Sequence, residues 1–145
     1  MNQALRDPLK FAILIGAFLS AIGCATSSSH HYAEPTSAWT SRYGQLLYRT
    51  PKTTLIGEVL VRFSTQGDFE LTFSKGPGLT VLSLRQDATF AEVKGALAGP
   101  GWSGPIDRAP SPLQPWLKLR DQLIQAQGKA SVRYATETQT FLFRF

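Results

Sequence analysis

Few residues in this 145-residue chain are of types that do chemistry. They are a single cysteine (Cys24), two adjacent histidines (His30 and His31), the carboxylates Asp68 and Glu70, and a glycine-rich "GPGWSGP" stretch that contains Ser103. Adjacent side chains of an extended segment point to opposite sides, so His30 and His31 do not converge on one ion, and no further His or Cys follows them. Gly99, Gly101 and Gly104 match the spacing of a dinucleotide loop. That loop must open a helix whose N-terminus meets the pyrophosphate, whereas Pro105, Pro110 and Pro112 follow here, so the stretch, "GWSGP" included, is expected to be a plain glycine-rich loop. Pro105 also stands where a nucleophile elbow around Ser103 requires its second glycine. Asp68 and Glu70 fall on one strand face about 7 Å apart, but they flank a turn, where solvated charges are usual. The expectation is a protein without catalytic residues, metal ligands or cofactor, and not an enzyme.

Cys24 asks for a different explanation. Arg6 and Lys10 precede an apolar run from Phe11 to Ile22. The run is too short for a membrane-crossing helix of about 20 residues, but it has the layout of an export signal. "LSAIGC", Leu19 to Cys24, resembles a bacterial lipobox, whose cysteine is acylated and becomes the N-terminus after cleavage. Residues 1–23 are accordingly expected to be a lipoprotein signal peptide. Residues 24–41, rich in Ser, Thr and Ala, are expected to be the acylated cysteine and a flexible tether. A lone cysteine also rules out an internal disulfide in the exported part. Ala25, standing where an Asp would favour retention in the inner membrane, leans the expectation toward the outer membrane, with the protein facing the periplasm. The net charge of +5 is scattered singly along the chain, so no nucleic-acid partner is expected.

The elements of the remaining domain, 42–145, follow from periodicity. In "TLIGEVLVRFS" the residues Leu55, Gly57, Val59, Val61 and Phe63 share one face. Phe69, Leu71 and Phe73 do so in "DFELTFS". "LTVLSLRQD" is apolar on both faces and reads as a central or bulged strand, and "TFAEVKGALAG" as a weaker fourth strand. "SVRYATETQTFLFRF" reads as a hairpin closing on Phe141, Phe143 and Phe145. One helix is expected after Ser111 as N-cap, with Pro112 in the first position, Gln114 completing a capping box and Gly128 at the far end. Leu113, Trp116, Leu117, Leu119, Leu123 and Ile124 form its apolar arc. Arg120 interrupts that arc, either as a snorkelling stem or as a cation meeting a headgroup. The fold class is therefore α+β, a curved antiparallel sheet covered by one amphipathic helix.

The succession "LIGEVLVRFS", "GDFELTFS", "GLTVLSLRQD", "GWSGP" and "SPLQPWLKLRDQL", over Arg42 to Gln127, resembles the LolA/LolB-like superfamily of lipoprotein carriers and receptors. The resemblance implies an incomplete, half-open β-barrel whose apolar interior holds the acyl chain of a lipid or lipoprotein. Val59, Val61, Phe63, Phe69, Leu71, Phe73, Trp116, Leu117, Phe141 and Phe143 are the candidates for lining it. Arg120 is the candidate for a headgroup, and Cys24 is the lipid-bearing residue. The domain is shorter than the receptors, which predicts fewer strands, and no exposed apolar loop of the kind receptors use to insert cargo is evident. A non-enzymatic scaffold lipoprotein that binds an envelope protein is the alternative, with "TFLFRF" as its pairing edge if that strand is exposed.

Overall fold

Alternation with period two becomes a single antiparallel sheet in the computed structural model, which describes residues 29–145. Cys24, the signal peptide 1–23 and the first part of the expected tether lie outside the described residues. Within His31–Phe145, one compact unit, the strands are β1 (Thr40–Arg49), β2 (Thr54–Phe63), β3 (Phe69–Ser74), β4 (Thr80–Gln86), β5 (Phe90–Lys94), β6 (Trp102–Pro105), β7 (Ser131–Ala135) and β8 (Thr140–Arg144). The single α-helix among the described residues, α1, spans Gln114–Gln125. The strand order is β6-β5-β4-β3-β2-β1-β8-β7. The sheet does not close into a barrel, and β6 and β7 are its edges. Eight strands are present among the described residues, from four residues in β6 to ten in β1 and β2.

The inner face carries Leu46, Tyr48, Val59, Val61, Phe63, Phe69, Leu71, Phe73, Leu84, Val93, Phe141 and Phe143, all buried. Paired residues in an antiparallel ladder share a face, and the register puts Val59 opposite Phe73, Val61 opposite Leu71 and Phe63 opposite Phe69. The double-faced apolarity of "LTVLSLRQD" has a specific cause. Phe73 pairs with Leu82 but Ser74 pairs with Thr80, so Val81 is an extra residue, a bulge that buries both Val81 and Leu82.

Three expectations on element limits need correction. β1, with ten residues, begins at Thr40, inside the expected tether. "GWSGP" is not a loop: Trp102 to Pro105 pair with β5 as a short edge strand. The fourth strand stops at Lys94, because Gly95 takes φ 105° and the chain turns into a 3-10 segment over Ala96–Ala98. The helix start also differs. Leu113, itself in helical conformation, precedes the first turn, with no side-chain cap. Ser111 is bypassed because Pro110 O already accepts from the amides of Leu113 and Gln114. Gln114 Nε2 donates backward to Ala109 O instead of closing a capping box. Gly128 adopts φ 91° two residues beyond the C-cap residue Ala126.

Residues 31–39 have no regular structure, yet Glu34 reaches Arg85 at 3.1 Å and the Arg85 guanidinium lies 5.6 Å from the Tyr32 ring centre. Arg85 alternates with buried Leu84 and Gln86, so this segment runs along the outer face.

Candidate functional site

The buried residues of α1 are Trp116, Leu117, Leu119 and Leu123. Trp116 meets rings from three strands: Tyr48 at 4.9 Å, Phe141 at 4.8 Å edge-on and Phe73 at 6.4 Å between centroids. Edge-to-face and tilted pairs at these distances add to area burial. Three polar side chains, two from strands and Gln139 from the β7–β8 turn, hold the backbone of the helical segment and of the residues just after it. Gln139 Nε2 donates to Pro112 O at 2.9 Å, Gln86 Nε2 to Leu117 O at 3.2 Å, and Arg42 to Ala126 O at 3.3 Å and to Lys129 O. Helix C-terminal carbonyls lack intrahelical partners, and Arg42 reaches that of the C-cap residue Ala126, and Lys129 O in the loop beyond, while its guanidinium stacks 3.8 Å from the Phe145 ring centre. None of these three roles is written in local sequence, because each donor lies far along the chain from its acceptor.

Of the ten residues expected to line an acyl cavity, all are buried and all belong to one apolar cluster. Space opens instead at the borders of that cluster. A cleft of about 450 Å³ lies between the C-terminal half of α1 and the β2–β3 turn, lined by Phe63, Ser64, Gly67, Ile124 and Gln127, among others. A second, of about 290 Å³, is lined by Gln86, Ile106, Asp107, Leu117 and Lys118, among others. Arg120 and Asp121 border both. Gln86 Oε1 is buried without a hydrogen-bond partner in the wall of the second cleft, an acceptor suited to a hydroxyl or amide donor.

Arg120 keeps its stem in the apolar arc and its side chain is 20% exposed. Its Nε donates to Gly67 O at 2.7 Å and Nη1 to Asp121 Oδ1 at 2.8 Å. The turn is itself braced, since Ser64 Oγ donates to Asp68 Oδ2 at 2.6 Å and accepts from the Gln66 and Asp68 amides. Arg120 therefore clasps the β2–β3 turn to the helix. Lysine has no fork with which to hold both partners, so Arg120→Lys is expected to lose about 1 kcal/mol of stability, the typical worth of one hydrogen bond. Urea unfolding checks this. Weakened lipid binding in the same variant would give Arg120 a headgroup role beside the clasp, and unchanged stability would remove the clasp.

The remaining sequence candidates are occupied structurally. Glu70, only 12% exposed, takes Arg62 Nη2 at 2.6 Å on one oxygen and Arg85 Nε at 3.0 Å on the other. Asp68 is bound by Ser64 as described, so the two carboxylates do not face a common substrate position. Among the described residues no group of three or more His, Cys, Asp or Glu converges as a metal site, and no helix is long and apolar enough to cross a membrane.

Tyr48 adds a titration. Burial pushes its phenol above the ordinary value, and the neighbouring Trp116 side chain opposes this. A phenol protonated in the folded state and ionised in the unfolded one binds more protons when folded. Stability from this source is complete below the unfolded value near 10 and falls as the pH rises above it. Tyr48→Phe should flatten the alkaline limb of a plot of urea midpoint against pH. A residual slope should remain, because Tyr32 and Tyr43 are also raised.

Among the described residues the fold is of the α+β class, an open, eight-stranded antiparallel sheet with one helix, whose Trp116 packs against the sheet and on whose segment Arg42, Gln86 and Gln139 converge. Compared with family models and with curated proteins, the chain matches none.

Proposed function

We propose that this is a lipid-anchored envelope protein, acylated at Cys24, whose domain holds the acyl chain of a lipid or lipoprotein between α1 and the inner face of the sheet. It acts by binding, without a catalytic step, in lipid or lipoprotein transfer facing the periplasm, at the outer membrane in preference to the inner. The amphipathic helix is then the cover of an incomplete, half-open barrel. The observation that carries this reading is the cleft of about 450 Å³ where the apolar walls Phe63 and Ile124 meet the Arg120 guanidinium. An acyl chain entering there adds about 0.8 kcal/mol for each methylene buried and leaves its polar end beside a cation. Because Val59, Val61, Phe73, Trp116 and Phe141 already pack against one another or in one cluster, deeper binding requires α1 to shift away from the sheet. A second support is Leu79, 56% exposed in the β3–β4 turn beside Gly76, Pro77 and Gly78.

Mass spectrometry of organic extracts from the purified chain carrying Cys24→Ala tests the reading. Bound acyl lipid in stoichiometric amount supports it. The same substitution should abolish incorporation of fatty-acid analogues, and persistent labelling would remove the anchor. Absence of lipid together with a protein recovered by crosslinking would favour the scaffold alternative. For that alternative the strand available to a partner is β6 or β7, since β8, with "TFLFRF", is paired on both sides by β1 and β7.

A further inference from the structure

The outer face of the sheet is divided into two chemically different halves. Over β2, β3 and β4 its charges are paired: Arg62 and Arg85 share Glu70, and Arg85 also meets Glu34 of the segment lying across it. Over β7, β8, β1 and β2 the arrangement is otherwise. The register places Leu142 opposite Leu47 and Leu47 opposite Ile56, an apolar row across three strands. Ile56 is 59% exposed, and the row borders a shallow groove of about 150 Å³ with Gln45 and Arg144. Arg133 stands opposite Leu142, Arg144 opposite Gln45 on one side of the row, and Arg49 opposite Thr140 and Thr54 on the other. All three arginines are exposed, and none is in an ion pair among the described residues. The nearest carboxylate in this register, Glu58, interacts with the Tyr43 hydroxyl.

We propose that this half of the outer face docks on an anionic phospholipid surface. An apolar row framed by guanidinium groups has the profile of an interfacial membrane contact. Leucine and isoleucine enter the headgroup boundary while the arginines reach phosphate oxygens, which accept bidentate hydrogen bonds from the guanidinium fork. Charge selects this occupant over a second copy of the chain, because a twofold contact of the face with itself would set arginine against arginine. The location also fits, because Tyr32 and Glu34 of the 31–39 segment lie against Arg85 on the paired half, whereas the Leu142–Leu47–Ile56 row borders the groove. The surface is on the opposite side of the sheet from the acyl-chain cleft and stands or falls independently of it.

The test uses the full chain with Cys24→Ser, so that an introduced cysteine is the only thiol. Ile56→Cys carries an environment-sensitive fluorophore, and Lys94→Cys on the paired half carries the same label as control. Vesicles of phosphatidylglycerol mixed with phosphatidylcholine are compared with vesicles of phosphatidylcholine alone. Emission at position 56 should shift to the blue and be quenched by nitroxide lipids only with the anionic vesicles, while position 94 stays unchanged. Arg49→Gln, Arg133→Gln and Arg144→Gln should each weaken that response about fivefold, and added salt should reverse it. Equal responses in both vesicle types, or at both positions, would overturn the proposal. So would a shift on raising protein concentration without lipid, which assigns the face to a second copy, or an equal shift with soluble polyglutamate, which assigns it to an acidic protein.

Discussion

Trp116→Ala should lower the free energy of unfolding by about 3 to 5 kcal/mol, the range for removing a buried aromatic ring. The indole is 1% exposed and lies among Tyr48, Phe73 and Phe141, whose rings come from three different strands. Their positions are set by the ladder, so they cannot collapse into the space left behind, and a rigid cavity is costlier than one that refills. Folded domains are stable by only about 5 to 15 kcal/mol, so the variant should be close to unfolding at ambient temperature. Chemical denaturation with circular dichroism measures this directly. A loss of only about 1 kcal/mol would mean that the ring borders open space, which is what a standing lipid cavity beside the helix would require. Trp116 emission provides a second reading: with Trp39 and Trp102 replaced by Phe, added fatty acid should perturb it only if the helix moves off the sheet to admit ligand. A fully rigid core would leave the emission unchanged and restrict binding to the two border clefts.

Gly57→Ala is expected to be nearly as damaging, although the side chain added is a single methyl. Gly57 lies on β2 at the point where the end of β3 bends over it, and a Cβ there would sit 2.1 Å from Ser74 O and 3.0 Å from Phe73 Cε2. A carbonyl within the ladder cannot rotate aside as a side chain can, so the strands must separate locally. The cost should reach the upper end of overpacking, about 3 kcal/mol. Gly44 plays the same part on β1, where a Cβ would meet Arg144 O at 2.1 Å. Glycines at such positions allow a sheet to curl. Gly76 provides the contrast. It has φ 75°, and a methyl group there would meet nothing within 4 Å, so Gly76→Ala should cost only the left-handed penalty of about 1 to 2 kcal/mol. Urea midpoints for the two variants, measured side by side, decide whether close approach or backbone conformation matters more. Gly57→Ala proving the milder of the pair would contradict the curl described here.

Local pattern was enough to specify which residues face inward. The alternation of Val59, Val61, Phe63, Phe69, Leu71, Phe73, Phe141 and Phe143, and the helical arc of Trp116, Leu117, Leu119 and Leu123, all arrive buried as periodicity implies, because a side chain's direction is dictated by its neighbours along the chain. The acylation signal proposed at Cys24 is likewise read from contiguous residues, and it falls outside the described part. What local pattern could not specify are the relations between distant segments. "TFLFRF" has the same alternation whether it lies at an edge or between β1 and β7, and only pairing decides. Arg120 carries no mark of Gly67, 53 positions away, nor Arg42 of Ala126, 84 positions away. "GWSGP" has glycine and proline enough for a loop, and becomes a strand because β5 offers an unpaired ladder beside it. The Leu142–Leu47–Ile56 row is made of single apolar residues on three strands, each ordinary alone, and it exists only through the register that aligns them. Direction is a local property of a polypeptide, whereas adjacency between strands depends on which hydrogen-bond ladders form, and that is decided by the tertiary structure.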